Sequence, residues 1–214
     1  AQSLNAATII NGSFDDGLNG YFVDAVGAAV PATQLATVAT TSGGNNYLSV
    51  EARPVTGGFG VTVSQSLMIS ALAPILSFDA AFLSEEEVLN GVPSNLNDAL
   101  SIAIQPQGAA GSTPLFLLNN TLSPLGSFTS ASAAPSAVFG PSLGAFSVTA
   151  DLSAYAGQSV TLSISGFNFE SLITQSYFGV DNIALNAPVS EVPVPLPAAL
   201  LLSGLFAFGA VRRL

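Results

Sequence analysis

Between Val61 and Ile69 the side chains alternate, with Val61, Val63, Leu67 and Ile69 apolar and Thr62, Ser64 and Ser66 small and polar. A period of two puts the first set on one face of an extended chain and the second on the other. A helix cannot separate them this way. Gln65 is the one interruption, a polar residue on the apolar face. The pattern returns in Ile75–Ala80, in Leu100, Ile102 and Ile104, in Phe146 and Val148, and in Val160, Leu162 and Ile164. It closes with Phe178-Gly179-Val180 and Ile183-Ala184-Leu185. Each strand has one apolar face to hide, so the expected fold is all-β, a two-sheet antiparallel jelly-roll sandwich.

The intervening segments extend this reading. Ala7-Thr8-Ile9-Ile10 reads as a first strand closed by Asn11-Gly12, followed by Tyr21-Phe22-Val23 and by Gln34 to Thr40. Ser42-Gly43-Gly44-Asn45-Asn46 is turn chemistry before Tyr47-Leu48-Ser49-Val50. Ile75–Ala80 is expected to pair beside Val61–Ile69. From Pro106 to Gly144 the chain is rich in Ala, Ser, Gly and Pro, with Leu115-Phe116-Leu117-Leu118 its strong apolar run, and reads as a long excursion between sheets.

Charge narrows the function. The 214 residues carry 13 acidic side chains, three basic ones, and no histidine, cysteine or tryptophan. A surface of that sign repels nucleic acid and anionic lipid and attracts cations. Only 7% of residues are charged while 49% are hydrophobic, which excludes disorder and suits an exported protein. Without histidine, cysteine or lysine there is no triad or zinc site, and acid–base chemistry would rest on carboxylates alone. No carboxylate pair is marked for it, so a non-enzymatic role is expected. Glu85-Glu86-Glu87, the densest charge, reads first as a solvated loop, with a short turn capped by Ser84 and a second cation or partner contact as the alternatives.

The C-terminal stretch is of another kind. Val194-Pro195-Leu196-Pro197-Ala198 leads into an uncharged apolar run ending at Val211, and Arg212-Arg213-Leu214 follows. From Leu196 to Val211 about 16 uncharged residues at ~1.5 Å each span ~24 Å, a short transmembrane helix that snorkelling arginines complete. Arg212 and Arg213 form a membrane stop, with the C-terminus cytoplasmic and the preceding chain exported to the periplasmic or extracellular side. A signal peptide removed before Ala1 is part of that expectation. The signature resembles the sorting tails of PEP-CTERM-type proteins of Gram-negative bacteria. That resemblance implies an integral-membrane exosortase as partner and Val194, Pro195, Leu196, Pro197 and Ala198 as sorting signal. The expected organisation is a sandwich over 1–186, a Pro-rich linker over 187–195 and the helix over 196–214.

Four pieces in order carry a second resemblance. Asn11-Gly12-Ser13-Phe14-Asp15, Val63-Ser64-Gln65-Ser66-Leu67, Asp151 to Leu162, and Phe178-Gly179-Val180-Asp181-Asn182-Ile183-Ala184-Leu185 are similar to the opening, the glutamine-bearing strand, the penultimate hairpin and the closing strand of carbohydrate-binding modules with a galactose-binding-like jelly roll. The resemblance implies that the opening segment lies beside the closing strand. It also implies a structural calcium held by Asp15 and Asp181, with Asp16 and Asn182 in support. Calcium needs six to eight oxygens, so backbone carbonyls and water would complete it. The competing reading makes Asp15 and Asp16 turn caps and has Asp181 hydrogen-bond a neighbouring loop.

Modules of that kind stack sugars on aromatic rings. Tyr21, Tyr47 and Tyr177 are the candidate glycan contacts, whereas Tyr155 is expected to pack at a hairpin. The expected role is a non-enzymatic exported surface protein with a structural or protein-interaction function, including that of accessory subunit in a larger membrane assembly. The alternative is a module binding surface or matrix glycans.

Overall fold

The computed structural model describes residues 8–25, 31–52, 60–83, 98–119, 121–167 and 176–188. Residues 194–214, expected to be a sorting tail and helix, nearly all of the expected linker and Glu85-Glu86-Glu87 lie outside these residues. Among the described residues no helix is long and apolar enough to cross a membrane.

Two antiparallel sheets make the sandwich. The first contains β1 (Phe22–Ala25), β4 (Val61–Met68), β10 (Ser159–Phe167), β6 (Ala99–Pro106) and β7 (Thr113–Asn119), in that spatial order. The second contains β2 (Ala36–Thr40), β3 (Asn46–Ala52), β11 (Ser176–Asn186), β5 (Ile75–Phe82), β9 (Gly144–Asp151) and β8 (Ser130–Ala133). The apolar sets of the alternating strands meet between them: Val61, Val63, Ile102, Ile104 and Ile164 from one sheet face Leu48, Val50, Phe78, Val148 and Phe178 from the other, all buried. Phe116 of β7 meets Phe78 of β5 edge-on at 5.6 Å, joining the two sheets.

The structure corrects four local expectations. Ile75–Phe82 does not pair beside Val61–Met68; it lies in the opposite sheet between β11 and β9. The chain between them turns over at the Ser70–Ala73 bridge and crosses the core, because both strands need their apolar faces turned inward toward each other. Residues 8–10 form no strand. Gln34 and Leu35 belong to a one-turn helix, α1 (Ala32–Leu35), which drives Leu35 into the core before β2 begins. The excursion from Pro106 to Gly144 supplies an edge strand to each sheet, β7 and β8.

Gln65 explains the missing strand. It is buried on the apolar face, and its side-chain Oε1 accepts from the Ile10 amide at 2.9 Å. Its Nε2 donates to the Ile10 carbonyl at 3.0 Å and to the Gly20 carbonyl at 3.1 Å. One primary amide thus pairs with the Ile10 backbone as a neighbouring strand would, which answers why a polar residue interrupts the apolar set.

The closing strand carries a bulge. The register of β11 against β5 shifts between Asp181 and Ala184, and Asn182 sits there with φ of 52°. Asparagine tolerates that left-handed conformation better than other non-glycine residues. The extra residue changes the inward parity, so Phe178 and Val180 point into the core before it and Ile183 after it, while Asp181 faces the outer side.

Candidate functional site

The opening segment is held against that bulge. The Ile183 amide donates to the Gly12 carbonyl at 3.0 Å, and a Cβ on residue 12 would stand 2.0 Å from the Ile183 carbonyl oxygen. Only glycine permits this approach. Phe14, with φ of 57°, turns its ring fully into the core and stacks on Tyr21 at 5.3 Å. Ser13 and Asp15 are thereby left facing out.

Asp181 and Asp15 come together through adjacent asparagines. The Asn45 Nδ2 donates to Asp181 Oδ2 at 2.8 Å, and the Asn46 Nδ2 donates to Asp15 Oδ1 at 3.2 Å. Asp15 Oδ2 accepts from Ser13 Oγ at 2.8 Å, and its charge acts on the Asp181 carboxyl. Asp181 is fully buried, and its Oδ1 is buried without a hydrogen-bond partner. Burial pushes its carboxyl above the ordinary 3.8, against the hydrogen bonds from Asn45 and the Asn182 backbone and with the help of the Asp79 and Asp15 charges.

The remaining nominated ligands are engaged elsewhere. Asp16 is exposed; its Oδ2 accepts from Asn19 Nδ2 at 2.7 Å and its amide donates to Asn11 Oδ1 at 3.0 Å, a turn within the opening loop. Asn182 gives its Nδ2 to Asp79 Oδ2 at 2.7 Å. Asp79 stands opposite Asp181 in the ladder and also accepts from Ser147 Oγ at 2.5 Å. Sequence reasoning did not single out Asp79, because nothing local reveals which aspartates become cross-strand neighbours. Among the described residues no three His, Cys, Asp or Glu side chains converge on a metal position. Two carboxylates with one buried, unpartnered oxygen still fit calcium's preference for oxygen, provided backbone carbonyls and water supply the rest.

Beside this pair lies a groove. Residues 134–143 fold back over the outer face of the second sheet, where Val138 and Phe139 bury themselves against Ala81, Leu83, Ala145 and Tyr47. Gly179 makes the seat: a Cβ there would lie 2.6 Å from the Phe139 ring. Phe139 meets Tyr47 edge-on at 5.4 Å. Between this segment and the turn at 40–42 opens a space of about 520 Å³ lined by Tyr47, Tyr177, Phe139 and Leu83. The hydroxyl-bearing residues Thr40, Thr41, Ser42 and Ser49 also line it, and no charged residue does among those described.

Two of the three nominated tyrosines therefore share one groove, from β3 and β11. Tyr21 is not with them. It packs against the core with its hydroxyl buried, and burial pushes that hydroxyl's pKa far up. Tyr155 donates to Thr113 Oγ1 at 3.2 Å beside the short 3-10 turn Ser153–Tyr155, a packing role as expected. Phe139 was missed, since a lone phenylalanine among Ala, Ser, Gly and Pro gives no period.

No family model matches the sequence, and no curated protein matches it. Solved structures do match. The K3 cleaved adhesin domain of the Lys-gingipain of Porphyromonas gingivalis superposes with a TM-score of 0.51 at 10% identity, over 85% of this chain and 99% of that one. A carbohydrate-binding module described for specific mannan recognition gives 0.48 at 13% identity, over 85% and 96%. A Stig cyclase from Fischerella sp. TAU gives 0.46 at 17%, over 86% and 98%. The likeness is one of fold. It places the chain among two-sheet β-sandwiches and carries no activity with it.

Proposed function

We propose that this protein is a non-enzymatic, exported glycan-binding module whose ligand lies in the groove over β3 and β11. The observation that carries this reading is the convergence of Tyr47 and Tyr177 in a single uncharged groove edged with hydroxyl-bearing residues. Sugars present apolar faces and hydroxyl rims, so ring platforms with small hydrogen-bonding side chains around them suit that chemistry. Phe139 holds the Tyr47 ring edge-on, which lowers the entropy cost of binding. The volume falls within the range of small-ligand sites. A chain of net charge −10 favours neutral or cationic glycans over uronic-acid polymers.

Calcium belongs to the same proposal. Asp181 and Asp15 would hold it, and the bound ion would neutralise a buried carboxylate that faces Asp79 across the ladder. Location follows the tail: an exported sandwich, membrane-tethered or exosortase-processed through residues 194–214. A structural or accessory-subunit role in a membrane assembly is the reading the groove favours less.

Binding of the full chain to a panel of neutral polysaccharides (mannan, β-glucan, galactan) and anionic ones (alginate, polygalacturonate) tests this. Retention by at least one neutral polymer is expected, weakened about tenfold or more by Tyr47→Ala and by Tyr177→Ala. Loss of neither, or binding only to the anionic polymers, would overturn the reading.

A further inference from the structure

The Asn45 side chain touches both the carboxylate pair and the groove. Its Nδ2 lies within hydrogen-bond distance of three oxygens: Asp181 Oδ2 at 2.8 Å, the Val138 carbonyl at 2.9 Å and the Asn46 carbonyl at 3.2 Å. Turning the amide over would aim its own oxygen at three acceptors, so chemistry sets the orientation. A primary amide has two hydrogens. Three acceptors compete for them, and the carboxylate competes best because a charge-assisted bond is the strongest of the three.

Asn45 is itself held firmly. The Thr41 amide donates to the Asn45 carbonyl at 2.8 Å, and the Asn45 amide donates to Thr41 Oγ1 at 3.1 Å, closing the tip of the β2–β3 hairpin. Thr41 lines the groove, and so does Gly140, two residues beyond Val138. A second hollow of about 390 Å³, lined by Asn45, Val138 and Gly140, continues from it between the hairpin tip and the 136–140 turn. Asn45 is thus the strut between the two walls.

Taking the sugar-binding reading as its basis, we propose that Asn45 is a positioning residue that couples a divalent cation at Asp181 to glycan binding in the groove. A cation on Asp181 occupies the carboxylate lone pairs and releases the amide hydrogens to Val138 and Asn46. The bond to the Val138 carbonyl, already formed at 2.9 Å, then strengthens and holds the 136–140 turn on the hairpin tip, keeping Phe139 against Tyr47. Cation and sugar favour the same arrangement, and each raises the other's affinity by the same factor.

The test uses the full chain in a zwitterionic detergent, titrated with mannohexaose and with cellohexaose, in millimolar calcium and in chelator. Tyrosine fluorescence and calorimetry report sugar binding, and the melting temperature reports calcium binding. The affinity for the sugar that binds is expected to rise about five- to tenfold with calcium, within the usual range of coupling between sites. Asn45→Ala should abolish that factor while calcium still raises the melting temperature. Asp181→Asn keeps an acceptor for Asn45 without the charge, and should bind sugar in chelator at the calcium-saturated level of the wild type. Sugar binding that is indifferent to calcium in the wild type overturns the coupling alone, as does a full calcium factor in Asn45→Ala. No binding of either sugar under any condition overturns the coupling together with the reading beneath it.

Discussion

Gln65 and Ile10, 55 residues apart, exchange a reciprocal pair of hydrogen bonds, a side-chain amide standing in for a strand. Replacing Gln65 by Leu would restore the apolar alternation of β4 yet strip Ile10 of its partner. Loss of the bonds to the Ile10 backbone and to the Gly20 carbonyl is expected to cost about 2–3 kcal/mol. Chemical denaturation measures it. A Gln65→Leu variant as stable as the wild type would show that water replaces the side chain without penalty.

Gly12→Ala should be costlier than its position in a surface loop suggests. The added methyl would meet the Ile183 carbonyl oxygen at 2.0 Å and force the opening segment off the closing strand, breaking the bond between the Ile183 amide and the Gly12 carbonyl. A loss of about 2–4 kcal/mol is expected, with faster hydrogen exchange at the Ile183 amide. Gly17→Ala, at a position with nothing within 4 Å, makes a control whose cost comes from its φ of +61° and not from a clash.

In chelator, stability should rise as the pH falls from neutral. The folded state raises the Asp181 carboxyl above its ordinary 3.8, so the native protein binds a proton that the unfolded chain does not. The contribution is fully present below the unfolded value and is lost as the pH climbs through the raised folded one. Melting curves across mildly acidic pH would show the slope. Asp181→Asn should flatten it, and an unchanged slope in that variant would assign the effect to another group.

Mass spectrometry of the protein from its native membrane distinguishes the two fates of the tail. A chain that still carries residues 194–214 would support the proposed anchor. A chain ending near Pro195 would support the proposed sorting signal and its processing.

Parts of the site were legible because they depend on local chemistry. The change of parity between Phe178-Gly179-Val180 and Ile183-Ala184-Leu185 already carries the bulge, since two strand segments of opposite phase need an extra residue between them. Asp15 and Asp181 were found by resemblance of short motifs at either end of the domain. Asp79, Phe139 and Asn45 were not, and neither was the exclusion of Tyr21 from the groove. Each depends on which strands become neighbours or on where residues 134–143 fold back.

By itself the sequence determined the class of fold, because period-two alternation leaves every strand with one face that must be buried. It also determined the sign of the surface charge and the absence of any histidine, cysteine or lysine chemistry. Which strands share a sheet was decided only by the tertiary structure, as the move of β5 to the sheet opposite β4 shows. Alternation says which side of a strand turns inward but not which strand lies beside it. The groove was decided there too, since it exists only where a segment remote in sequence crosses the outer face and Gly179 leaves room for Phe139.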